Sequence, residues 1–209
     1  MNVPGASHAG GVWERQIRTV RSILNVILSR CAGRLDDASL RTFFYEAMAI
    51  VNSRPLSVES INDPNALEPL TPNHIITMKS SQALPPPGQF VQEDLYIAKR
   101  WRKVQYLTEL FWGRWRKEYL LHLNERQKWR TPRRNLKVGD IVHIKDDTAA
   151  RSEWPLAIIQ EASPDDDGLV RKVTVTVGTK NLDKKGKRKS ELSCLQRPIQ
   201  KLVLLMESS

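Results

Sequence analysis

Apolar positions recur along this chain with two different periods. Between Val12 and Arg30, the residues Trp13, Ile17, Val20, Leu24 and Ile27 return every three or four positions and Leu28 widens their row, which predicts a helix with one face to bury. Gly33 suits its stop. A second helix is expected from about Asp36, with Asp37 and Ser39 as capping candidates and Leu40, Phe43, Phe44, Ala47, Met48 and Val51 as its apolar stripe; Pro55 ends it. From Arg54 to Gln89 seven prolines break regular structure, because each removes a backbone donor and restricts the residue before it. The Pro85-Pro86-Pro87-Gly88 run reads as a spacer. The longest helical pattern follows, from about Leu95 to Arg126. Ile97, Trp101, Val104, Phe111, Trp115 and Tyr119 carry its stripe, Leu107, Leu110, Leu120 and Leu123 widen it, and Gly113 is a point of interruption.

After Thr131-Pro132 the period shortens to two. Val142 and Ile144 alternate with His143 and Lys145, which predicts a short strand with its apolar side chains on one face and its polar ones on the other. Leu156 to Glu161 is a second strand, entered through Trp154-Pro155, and Leu169 to Val177 a third, rich in β-branched residues. Ser163 to Gly168 is an acidic turn between them, Asn181 to Ser190 a basic loop, and Ile199 to Leu205 a final short element. Short strands with tight turns suggest a small antiparallel barrel of the chromodomain or Tudor-like kind.

Charge changes this picture by where it lies. The chain of 209 residues carries a formal net charge of +10. Between Lys99 and Arg134 there are twelve Lys or Arg against three Glu, so nearly all the excess sits on and just after the longest helix. Such a segment points to a polyanionic partner whose phosphates displace counterions, with little sequence preference; the bland reading is a solvated basic face. The candidate DNA-binding residues are Lys99, Arg100, Arg102, Lys103, Arg114, Arg116, Lys117, Arg126, Lys128 and Arg130. Trp101, Trp112, Trp115 and Trp129 between and after them read as core. Cys31 and Cys194 lie far apart, which argues against a disulfide framework or a structural zinc site. With no secretory organisation and no long apolar run, the expectation is a soluble, intracellular chain without a membrane partner.

A helical wheel also places Glu14, Arg18, Arg21 and Asn25 on one stripe of the first helix. Alone, Glu14 reads as a first-turn acid that complements the helix dipole. The run Pro4 … Ser7-His8-Ala9-Gly10-Gly11-Val12-Trp13-Glu14-Arg15, however, resembles the last catalytic motif of the integrases of Bel/Pao-type LTR retrotransposons. Asn52-Ser53-Arg54-Pro55-Leu56 and Leu70-Thr71-Pro72-Asn73-His74 resemble the end of that integrase core. Phe111-Trp112-x-Arg114-Trp115-x-x-Glu118-Tyr119-Leu120, Val138-Gly139-Asp140-Ile141-Val142, Trp154-Pro155-Leu156, Asp167-Gly168-x-Val170-Arg171 and Arg197-Pro198-Ile199-x-Lys201-Leu202 resemble the domain of unknown function that follows it.

The resemblance implies an α+β chain. Residues 1–78 would be a helical remnant of an RNase H-like core, 79–94 a Pro-rich linker, 95–130 a basic helical segment, and 131–209 a small β-barrel domain with a basic loop at 180–190. It implies that Glu14 is the vestigial third carboxylate of an Asp-Asp-Glu site that holds Mg or Mn in the intact integrase, with Arg18 and Arg21 on phosphate. Both aspartates would lie upstream of this chain, so the expectation is a truncated integrase that binds no metal and catalyses nothing on its own. Its partners would be DNA or RNA, chromatin proteins, and a second copy through the exposed core helices, in the nucleus if functional. The competing expectation is a protein-tail module in which Trp154, with Tyr119 or Trp129, lines an aromatic cage for methylated lysine; packing of Trp154 under the barrel is its bland counterpart.

Overall fold

A computed structural model of the chain describes residues 11–31, 33–56, 69–78, 86–123, 134–146, 149–177 and 193–208. These form four helices and five strands, an α+β composition. They group in space into two units, each drawn from separate stretches: Met1–Val51 with Pro85–Tyr119, and Asn52–Leu84 with Leu120–Ser209. The basic loop expected at 180–190 lies outside the described residues.

The first unit is helical. Helix α1 spans Gly11–Ser29 and buries Ile23 and Ile27, one above the other at the i, i+4 spacing. It closes through turns in which Arg30 and Cys31 donate to the Ile27 and Leu28 carbonyls, and Gly33 follows at φ 74, a left-handed conformation that glycine adopts without a Cβ penalty. Helix α2 spans Asp37–Val51. Its cap is Asp36 rather than Asp37 or Ser39: the Asp36 carboxylate accepts from the Ser39 amide at 2.9 Å. That bond satisfies one of the amides a helix start leaves without a partner. Phe43, Ala47 and Ile50 are its buried face.

Helix α4, Arg100–Leu123, runs through Gly113 without a break, because a single glycine costs only about 1 kcal/mol in a helix whose other face is buried. Val104, Leu107, Phe111 and Trp115 are almost wholly buried. Phe111 meets Phe43 edge-on at 6.3 Å and stacks on Trp115 at 6.4 Å, so the aromatic spacing serves packing as expected. Trp101 departs from that expectation, being 50% exposed.

The second unit is built on one antiparallel sheet of five strands: β1 Ile141–Ile144, β2 Leu156–Pro164, β3 Val170–Val177, β4 Ser193–Pro198 and β5 Leu202–Met206, in the order β4-β3-β2-β1-β5. The expected barrel is not closed, since β4 and β5 are the two edges. The sheet is nonetheless curled. Five flat strands would hold the edges about 19 Å apart, whereas only the 3-10 turn Ile199–Lys201 joins β4 to β5, and such a turn rises about 2 Å per residue. Two irregularities in the β2–β3 register, at Ile159/Glu161 and Ala162/Pro164, let the central strand bend. Val142, Ala157, Ile159, Val173, Val175 and Leu202 form the core of the curl.

Paired charges and turn glycines hold its ends. Asp140 is fully buried and accepts from Arg134, from the Lys137 amide and from the amide and hydroxyl of Ser208. Burial pushes its carboxyl pKa up most strongly, but the Arg134 and backbone hydrogen bonds together outweigh burial and hold it below the usual carboxylate range. Gly139 stands at φ 88, where an added Cβ would sit 3.0 Å from the Ser208 Cβ. At the β2–β3 turn, Arg171 bridges Asp165 and Asp167, and Gly168 takes φ 76.

The two proline motifs of the loop region meet in this unit. Leu56 donates to the Leu70 carbonyl at 2.8 Å and Asn73 to the Asn52 carbonyl at 3.0 Å. Helix α3, Pro72–Thr77, starts in a capping box: Thr71 Oγ1 accepts from the His74 amide, and His74 Nδ1 accepts from the Thr71 amide. The imidazole of His74 thus does at its helix start what Glu or Gln usually does.

Candidate nucleic-acid interface

The face of α4 that packing leaves uncovered decides which cations can meet a partner. At 100° per residue, Lys103, Arg114 and Lys117 fall within about 60° of one another, roughly 130° around the helix from the row of Val104, Thr108 and Trp115, with buried Leu107 at the edge of their stripe. Lys117 is exposed, and Lys103 and Arg114 are half-buried. Lys103 and Arg114 are separated by about 16 Å along the axis at the helical rise of about 1.5 Å per residue. Lys99, just ahead of the helix, is exposed and extends the stripe.

Three other cations of the expected set are engaged by the protein itself. Arg102 donates to the buried carboxylate of Asp94 at 2.6 Å and to the Gln89 carbonyl at 3.2 Å. The hydrogen bond from Arg102 holds the Asp94 carboxyl below the usual range, so this guanidinium belongs to the fold. Arg116 is buried, its guanidinium 5.5 Å from the Trp112 ring. Arg100 lies 3.3 Å from Asp36, but both side chains are more than half exposed, and such a surface pair is weak enough to open for a better anion. Arg126, Lys128 and Arg130 lie outside the described residues.

On α1, Glu14, Arg18 and Arg21 are all exposed, as their shared stripe requires. Among the described residues no group of three or more His, Cys, Asp and Glu is placed to hold a metal ion.

The sheet unit places Trp154 where it cannot form a cage. Its side chain is 6% exposed, its indole N–H donates to Ser53 Oγ at 3.1 Å, and its ring lies 5.6 Å from His143. A methylated lysine needs open aromatic faces, and this ring is covered. His143 was expected on a polar face but is 1% exposed; burial alone depresses its imidazole pKa to about 4. Both faces of β1 are thus covered, one by the curled core and the other by Trp154.

One grouping was not legible in the sequence. Arg34, Asp36, Ser39 and Thr42 from the start of α2 and the turn before it line an open cleft of about 590 Å3 with Ala98, Arg100, Trp101, Lys103 and Val104. No sequence signal joins Arg34 to the basic helix, because the two stretches lie far apart in the chain.

No helix among the described residues is long and apolar enough to cross a membrane. No curated protein and no solved structure matches the chain. The profile of a family of unknown function, DUF5641, matches residues 99–205, which takes in α4, β1 to β4, all of β5 but its last residue, and slightly more than half of the sequence. The chain belongs to the family of unknown function DUF5641.

Proposed function

We propose that this chain binds nucleic acid, and that it derives from the C-terminal part of a Bel/Pao-type retrotransposon integrase whose intact form joins element DNA to target DNA. The observation that carries the binding reading is the segregation of charge: +9 between Lys99 and Arg134, with Lys103, Arg114 and Lys117 grouped on one stripe of α4. The order of the integrase-like motifs supports the lineage. In this reading the helices of the first unit are the remnant of an RNase H-like core, and the curled sheet is a variant of the small barrel that ends such proteins. Glu14 is then a metal ligand of the integrase and Arg18 and Arg21 phosphate contacts. In this reading the chain is a nucleic-acid-binding component, nuclear in location. Buried Trp154 removes the specific support for a methyl-lysine module.

The test is the salt dependence of duplex DNA binding, followed by fluorescence anisotropy. Affinity should fall steeply between low and high salt, and Lys103→Gln, Arg114→Gln and Lys117→Gln should each reduce the slope of log K against log salt by about one. An affinity that does not change with salt would overturn the proposal.

A further inference from the structure

The cleft between the start of α2 and the start of α4 has a composition that the stripe lacks. Three cations converge on it, Arg34, Arg100 and Lys103, against one carboxylate, Asp36, and its aromatic wall is Trp101. Its volume of about 590 Å3 falls in the range of small-ligand clefts, about 300–1,000 Å3. The aromatic is held in place but not covered. Phe90 meets Trp101 edge-on at 5.3 Å, and the segment carrying Phe90 is pinned by the bonds from Arg102 to Asp94 and Gln89. Half of Trp101 remains exposed, an arrangement that costs apolar hydration unless something stacks there. Arg34 is oriented as well, its guanidinium 4.7 Å from the Tyr96 ring centre.

We propose that this cleft seats one unpaired nucleotide of a single-stranded nucleic acid, its phosphate between Arg34, Arg100 and Lys103 and its base stacked on Trp101. The proposal rests on the nucleic-acid reading and narrows it. Cations alone would serve a duplex, an acidic peptide or a lone phosphate equally well. An exposed indole beside them favours a ligand with both a negative charge and a flat π-face, and in a duplex the base faces are already stacked on one another. Arg100 can turn from Asp36 to phosphate at little cost, because the pair is exposed to water. DNA and RNA share this chemistry.

The experiment uses the full chain and anisotropy with a short labelled oligothymidylate, an oligouridylate of the same length, an abasic strand of the same length, and a duplex. Trp101→Ala should weaken binding to the oligothymidylate about tenfold and leave the duplex unaffected, with Trp101→Phe close to the parent. The abasic strand should bind the parent about as weakly as the oligothymidylate binds Trp101→Ala. Arg34→Gln should lower the salt slope for the single strand alone. Equal binding of the abasic and thymidylate strands, or equal loss of single-strand and duplex binding in Trp101→Ala, would overturn the proposal. A shared ribose and deoxyribose response supports it, and selective binding of one sugar names the source. If duplex binding is flat with salt while the Trp101 dependence holds, the stripe fails and the cleft stands; the reverse result sinks the cleft alone. Circular dichroism on each variant separates lost binding from lost folding, and Arg34→Gln, an exposed change, keeps the test decisive if Trp101→Ala does not fold.

Discussion

At the scale of single residues, burial decides what each ionisable group can do. His143 is covered on β1, and its pKa of about 4 lies well below the 6.5 of an exposed histidine. The unfolded chain therefore binds a proton that the folded one refuses between those values, so stability rises with pH across this window. The contribution is complete above about pH 6.5 and is lost as pH falls toward 4, about 3 kcal/mol in all. Urea unfolding at a series of pH values should show that slope, and His143→Gln should flatten it; an unchanged slope in the variant would remove His143 as its source. The same logic separates the arginines of the long helix. Arg102 and Arg116 resemble Lys103 and Lys117 as letters, yet one neutralises buried Asp94 and the other lies buried beside Trp112.

At the scale of elements, local signals set where helices begin and strands run. The i, i+4 rows of α1, α2 and α4 were legible because helical period is a property of neighbouring residues, and β3 was legible for its β-branched run. Strand β4 was not. Ser193 to Pro198 is an edge strand with mostly exposed side chains, so no apolar alternation marks it. Helix α3 shows how a short element depends on its cap. Six residues cannot hold a helix by propensity, and the Thr71–His74 box supplies the bonds that its first turn lacks. Thr71→Ala should destabilise the sheet unit by about 1 kcal/mol in urea unfolding, while Thr71→Ser should stay within a few tenths. Equal stability of both variants would argue that the box contributes nothing.

At the scale of the whole molecule, the open question for the helical unit is what meets its uncovered apolar residues. Phe44, Tyr45 and Met48 on α2 are exposed by 41%, 62% and 54%, and Trp13 and Ile17 on α1 by 49% and 38%. Exposed large apolar side chains of this kind favour association. Sedimentation velocity should show an average mass that rises with concentration. Phe44→Ser should weaken that association about tenfold or more, the value of burying one Phe side chain. A monomer at all concentrations would sink the expectation of self-contact through these helices. Charge at this scale is separable too: the basic segment should drive salt-dependent binding, whereas association through α2 should be little affected by salt.

The order of amino acids by itself determined the two periods, the helix stop at Gly33, the acidic β2–β3 turn and the concentration of positive charge after Lys99. Each of these is carried by residues close in sequence, so no knowledge of the rest of the chain was needed. Only the tertiary structure decided that β4 and β5 are the edges of a curled sheet, that His143 and Trp154 cover each other, and that Trp101 stands open beside Arg34. Those outcomes depend on which distant segments meet, and a side chain's exposure, its charge partner and its ionisation all follow from that meeting rather than from its neighbours in the chain.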